Sequence, residues 1–272
     1  MELRRLDDYQ SWQVCLEGSS LLIDPWLTAE PITGSFTRRH TAGYLTVQDV
    51  LAMGCTVDGV LLCTAVNDHT RPASLKALAE SGSEPTVLGP RRAVRIARRA
   101  GLADGRVVRP GGRHEWRTRS GGTLTVTATR TGLPLGLIAV GYLIDGFDST
   151  GTHLGRIWIE PHRPPRSVAS RLAPVDIAVL PTQSVTAVVI SVTAGPVAVA
   201  RAARAADSRM LVPTATDPRR DMSAWQRATY QVAGGDRDLQ SALGEVTMLT
   251  PMNAGGVQPI ASRTTEGRAG VD

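Results

Sequence analysis

The chain has 272 residues, 42% of them apolar and 20% charged, with a formal net charge of +5 and a pI near 9.6. That length can bury a sizeable core, and the composition is that of a globular α/β chain, not a disordered or fibrous one. The positive charge is almost all arginine, Lys76 being the single lysine, and it is scattered apart from Arg91, Arg92, Arg95, Arg98 and Arg99 on one expected helix. Without aromatic interleaving this pattern argues against specific nucleic-acid binding. No window reaches the roughly 18 apolar residues of a membrane span, and the first fifteen residues lack the apolar core of a signal peptide. Cys15, Cys55 and Cys63 are odd in number and at no metal-like spacing, which fits a reducing compartment. The expectation is a cytoplasmic protein that acts on a small molecule; its oligomeric state, a homo-oligomer included, is left open.

In chain order, Trp12–Leu16, a turn at Glu17-Gly18-Ser19-Ser20 and Leu21-Leu22-Ile23 read as a hairpin that ends in Asp24-Pro25. Asp before Pro also favours a simple turn. Residues 28–43 form a polar loop with His40, long enough to suggest a lid or binding loop. Thr46 caps a short helix through Met53. The apolar run Gly59–Cys63 reads as a buried strand. The polar loop Asn67-Asp68-His69-Thr70-Arg71 follows, and then a helix with Pro72 at its first position. A carboxylate and an imidazole at the C-terminal mouth of a buried strand are well placed for chemistry.

Thr86–Leu88, the helix Arg91–Ala100 and Arg106–Val108 continue the strand–helix alternation of α/β layers. Leu124–Thr129 alternates as a strand, residues 130–136 form an apolar loop, and Leu137–Ile144 reads as a second buried strand. A hairpin loop is expected over 145–155. Arg156–Ile159 then runs into Glu160-Pro161-His162, the second place where an acid and an imidazole meet a strand end. Pro164, Pro165 and Pro174 mark a loop, Val175–Pro181 a strand, 195–207 a helix, Met210–Pro213 a strand, 223–232 a helix and 246–249 a last strand. Residues 259–272 read as a disordered tail, leaving residues 1–258 as one domain.

Leu-Ile-Asp-Pro at residues 22–25, the loop Thr64–His69, Glu160-Pro161-His162 and Val212-Pro213-Thr214 occur in the order found in the metallo-β-lactamase fold. The chain resembles that superfamily over residues 12–255. The resemblance is closer to an uncharacterised branch with a variant Asp-Asp-His loop and a Glu-Pro-His. It implies a four-layer αββα sandwich with mixed sheets and a site at one sheet edge. It also implies a degenerate metal site, because His-x-His-x-Asp-His has become Thr64-Ala65-Val66-Asn67-Asp68-His69. The third histidine is missing from residues 130–136, His162 stands where an Asp bridges two metals, and Asp217 follows where the final histidine would be. In this frame Asp24 braces the metal loop.

Two chemistries stay open. One divalent ion (zinc, iron or manganese) held by Asp68, His69 and His162 would acidify a bound water for a hydrolase-like reaction, with Glu160 or Asp217 moving its proton. Alternatively no metal is held, Asp68 orients His69, and His69 or His162 acts as general acid or base. Thr64, Val66, Leu133 and Leu135 would then line an apolar cavity suited to an isomerase, cyclase or lyase. A non-catalytic ligand-binding protein on the same fold is the third possibility.

Overall fold

The computed structural model describes residues 1–29, 43–187, 189–215, 228–244 and 247–260. Its first sheet begins with an antiparallel meander of β1 (Glu2–Arg5), β2 (Trp12–Leu16) and β3 (Ser19–Ile23). It continues in parallel through β4 (Thr56–Leu61), β5 (Thr86–Gly89) and β6 (Gly105–Val107). The second sheet repeats this plan. A meander of β7 (Arg113–Arg117), β8 (Thr123–Arg130), β9 (Val140–Phe147) and β10 (His153–Ile159) leads into parallel β11 (Val175–Pro181), β14 (Ser208–Thr214) and β16 (Met248–Leu249). A small third sheet joins β12 (Ser184–Ala187), β13 (Ile190–Ser191) and β15 (Tyr230–Ala233). The last described strand, β17 (Val257–Pro259), pairs with β1, and Ile260 after it is buried.

Side-chain alternation along the strands sorts the core into three layers. Leu21 and Ile23 of β3, with Ile157, Ile159, Ile177 and Val179, pack between the two large sheets. Leu22, one residue out of phase, faces the other way with Val60. It packs against Leu75 and Leu78 of α2 (Pro72–Glu80) and Ala93 and Ala97 of α3 (Arg91–Arg99). On the far side, Trp158, Ala178 and Leu180 pack against Ala169, Val199 and Leu239. Those three lie on the helices numbered 166–172, 196–205 and 236–243. The molecule is thus a four-layer αββα sandwich, as the resemblance implies. Among the described residues no helix is long and apolar enough to cross a membrane.

Several local expectations are corrected. The buried strand expected from Leu137 starts at Val140. Leu135–Leu137 is a single 3-10 turn that leaves Leu137 and Ile138 exposed, because Pro134 has no N–H to give a ladder and Gly136 N–H folds back to Gly132 O. The loop expected over 145–155 contracts to residues 148–152, where Asp148 Oδ1 accepts the N–H groups of Thr150 and Thr152. Arg166–Leu172, expected as loop, is helical, with Pro165 just ahead of its first turn. Tyr230–Ala233, expected at the end of a helix, is strand, paired to β12.

Candidate functional site

The C-terminal ends of β3, β4 and β10 open on the same side of the sandwich, and the side chains described below gather there. Asp24 follows β3 with φ +46. Its Oδ1 accepts the backbone N–H of Cys63 at 2.8 Å, and its Oδ2 lies 2.7 Å from His69 Nδ1. Facing a carboxylate, which only accepts, Nδ1 carries the proton and Nε2 is left for other work. The His69 turn is fixed from below. His69 N–H bonds Val66 O, Thr70 Oγ1 donates to Thr64 O at 2.6 Å, and Gln10 Nε2 donates to Asp68 O at 2.7 Å.

From the other sheet, Glu160 leaves β10 wholly buried. Its Oε1 accepts from Thr131 Oγ1 (2.8 Å), the His162 N–H (3.0 Å) and the Arg163 N–H (3.3 Å). Its Oε2 has no partner among the described residues. That oxygen faces Gly141 of β9, where a Cβ would stand 2.8 Å from it and 2.7 Å from Thr129 Oγ1. The imidazoles of His69 and His162 stack, their centroids 4.6 Å apart and their planes 29° apart.

The electrostatics follow from burial and from two carboxylates near one ring. Desolvation works against a charge on His69, but Asp24 and Asp68 outweigh it and raise its pKa. Burial lifts Glu160 to about 7 against the pull of its hydrogen bonds from Thr131 and the two N–H groups. Burial, reinforced by the neighbouring His69 charge, holds His162 well below the usual imidazole value. His162 is the neutral imidazole of the pair. Tyr230 is drawn in as well: burial first, then the Asp68 carboxylate, raises its phenol.

Asp68, His69, Glu160 and His162, singled out from two distant stretches of sequence, therefore come together. Their roles differ from those expected. The carboxylate that orients His69 is Asp24, at 2.7 Å, whereas Asp68 Oδ2 stands 3.9 Å from the opposite nitrogen, Nε2. Of the four residues expected to line an apolar cavity, Thr64 is buried, Val66 and Leu135 are half-buried and Leu133 is 68% exposed. Asp217 and His40 lie outside the described residues. His114 and His153 pack elsewhere, on Trp116 and Phe147. Thr131, Gln10 and Tyr230 had no signal in the sequence, since each reaches its partner through the fold alone.

The residues were tested against the metal they suggested. Zinc needs donors about 2.0–2.1 Å away, with imidazole lone pairs in the ring plane and converging on one point. Rings stacked with centroids 4.6 Å apart and planes 29° apart do not present converging lone pairs. Among the described residues, no three His, Cys, Asp or Glu side chains are placed to hold one ion. The expected set of Asp68, His69 and His162 does not fit a metal in this arrangement. What the site does hold is three buried polar atoms without a partner among the described residues: Asp68 Oδ1, Glu160 Oε2 and His162 Nδ1.

Neither a family model nor a curated protein matches the sequence. Solved structures do match it along nearly its whole length. An isothiocyanate hydrolase from Delia radicum gut bacteria shares 18% identity at a TM-score of 0.67, over 96% of this chain and 100% of that one. Igni18, a metallo hydrolase from the archaeon Ignicoccus hospitalis, shares 16% at 0.61, over 94% and 97%. The metallo-β-lactamase fold protein YhfI from Bacillus subtilis shares 11% at 0.60, over 94% and 98%. The αββα layers with a strand-end site define the class, a four-layer α/β sandwich. Within it, this chain has the metallo-β-lactamase fold.

Proposed function

We propose that the chain is a metal-independent acid–base enzyme acting on a small molecule, with His69 and Glu160 as the proton-transferring pair. The observation that carries this is the 2.7 Å contact between Asp24 Oδ2 and His69 Nδ1. It fixes the ring, keeps the proton on Nδ1 and favours the imidazolium, so Nε2–H is a general acid aimed away from Asp24. Glu160, with its pKa near 7, is the matching base. Oε1 is held by three donors, and the proton comes and goes at the unpartnered Oε2. His162 stays neutral and offers Nδ1 to a polar group of the substrate. An imidazolium acid with a raised pKa beside a carboxyl of pKa about 7 suits isomerisation, cyclisation or elimination.

Hydrolysis is the second reading, favoured because solved structures that match nearly end to end are described as hydrolases. The same pair would then take a proton from water and give one to the leaving group. Metal-dependent hydrolysis would need the ligand convergence that the stacked rings lack.

The test is a screen of small metabolites for turnover, repeated after exhaustive chelation. Any turnover found survives chelation, and His69→Asn lowers kcat at least about 100-fold, within the usual range for losing a general acid or base. Turnover abolished by chelation and restored by zinc would overturn the proposal.

A further inference from the structure

Two exposed apolar segments are tied to the same residues that carry the site. The first is the loop between β8 and β9. Thr131 at its start bonds Glu160, Gly132 N–H bonds Arg163 O, and Ile138 O near its end accepts from Thr64 Oγ1 at 3.4 Å. Between these anchors Leu133, Leu137 and Ile138 are 68%, 82% and 55% exposed. The second is the β12–β13 hairpin. Arg163 Nη1 donates to Ser191 O at 3.3 Å, and Ala194 N–H bonds His162 O at 2.8 Å. Its tip exposes Val189 and Ile190. Five large apolar side chains, from two segments with no strand pairing to each other, thus hang from Glu160, His162 and Arg163. Singly exposed apolar residues need no explanation, but five of them on two segments anchored to the residues of one polar centre do.

The polar centre supplies the second half of the argument. Asp68 Oδ1, Glu160 Oε2 and His162 Nδ1 are buried and unpartnered among the described residues. Leaving such atoms unmet costs free energy, so a site built this way is completed by a ligand group, by water, or by both. Carboxylate oxygens ask for donors, which excludes an anionic head; the His69 imidazolium stacked on His162 disfavours a cationic one, which leaves a neutral head with N–H or O–H groups. Ligand sites commonly pair a few convergent polar groups with apolar walls.

We infer that the substrate is amphipathic: a neutral, hydrogen-bond-donating head enters the Asp68–Glu160–His162 centre, and an apolar chain lies across Leu133, Leu137, Ile138, Val189 and Ile190. This rests on the acid–base reading only for the location of the site. The fit requires no covalent step, so it is measurable by binding.

The probes are straight-chain primary amides from butanamide to octanamide, titrated by calorimetry into the full chain. Affinity rises about two- to fourfold per added methylene, the range for a partly to fully buried CH₂. Leu137→Ser and Ile190→Ser each reduce that slope, while Val257→Ser, exposed on β17 far along the chain, leaves it unchanged. These three positions are on the surface, so the variants fold. His69→Asn keeps the slope whatever it does to turnover, which separates failure of this inference from failure of the catalytic one. A flat affinity series, or an unchanged slope in Leu137→Ser combined with Ile190→Ser, overturns the inference. So does a dimer in sedimentation that Leu137→Ser dissociates, which would assign the rim to a second copy. Tight binding to phosphatidylcholine vesicles that the amides do not displace would assign it to a membrane and also overturn it.

Discussion

At the scale of single residues, the site is a problem in burying charge. His69 sits between two carboxylates, and its charge is stabilised because Asp24 is at hydrogen-bond distance and itself held by the Cys63 N–H. Asp24→Asn removes that charge while keeping the volume. The His69 pKa, followed by imidazole NMR, should fall from its raised value to the ordinary 6.5 or below, since burial then acts with less opposition. Turnover should fall with it while the chain stays folded. Glu160 gives a second prediction. Its folded pKa is raised, to about 7 from an ordinary 4.5. The native state therefore holds a proton that the unfolded chain has already lost between those pH values. By linkage its favourable contribution is full below about 4.5 and is lost as pH rises through 7. His69, also raised, acts in the same direction at higher pH. Thermal or denaturant unfolding of the wild type should show stability falling across pH 5–7 by up to about 3 kcal/mol from this group. Glu160→Gln should flatten that fall. A wild type whose stability rises over that window contradicts the assignment.

Elements decide which of these contacts exist. β9 matters most, because Gly141 is the point where β8, β9 and β10 leave no room: an added Cβ would meet Thr129 Oγ1, Glu160 Oε2 and Ile159 O at 2.7–2.8 Å. One of those atoms, Ile159 O, is backbone of β10 and cannot swing away as a side chain can. Gly141→Ala should cost about 1–3 kcal/mol in denaturant unfolding, as overpacking does, and should displace Glu160. The same scale shows what was legible beforehand. Gly59–Cys63 running into Asp68-His69, and Arg156–Ile159 running into Glu160-Pro161-His162, announce themselves because an apolar run ends abruptly in acid and imidazole. The helix cap at Thr46 was legible for a similar local reason, and Asp49 completes it as a capping box. Thr131 was not, because nothing near it in sequence marks a threonine that will meet Glu160 twenty-nine residues on. Asp24 was legible as a brace of the 64–69 loop through the resemblance, but not the particular atom it holds, His69 Nδ1, a contact that depends on two parallel strands aligning. Arg166–Leu172 was hidden by Pro164 and Pro165, which break a helix in its interior yet are tolerated at its start.

For the whole molecule, the sandwich brings two half-sites together. Asp24, Asp68 and His69 ride on the first sheet and Thr131, Glu160 and His162 on the second. The inter-sheet core of Leu21, Ile23, Ile157 and Ile159 sets their separation. Polar ties cross the same interface: Tyr142 Oη donates to Leu62 O at 2.8 Å, and Trp12 Nε1 donates to Thr214 Oγ1 at 3.1 Å. Within that frame the two imidazoles lie stacked, with His69 held at Nδ1 by Asp24. The central claim, proton transfer without a metal, is therefore open to direct measurement. Zinc is titrated into dialysed protein while the imidazole nitrogen resonances of His69 and His162 are recorded. One equivalent is expected to leave both sets of signals where they were. A stoichiometric shift of both rings, lost in Asp68→Ala, would contradict it.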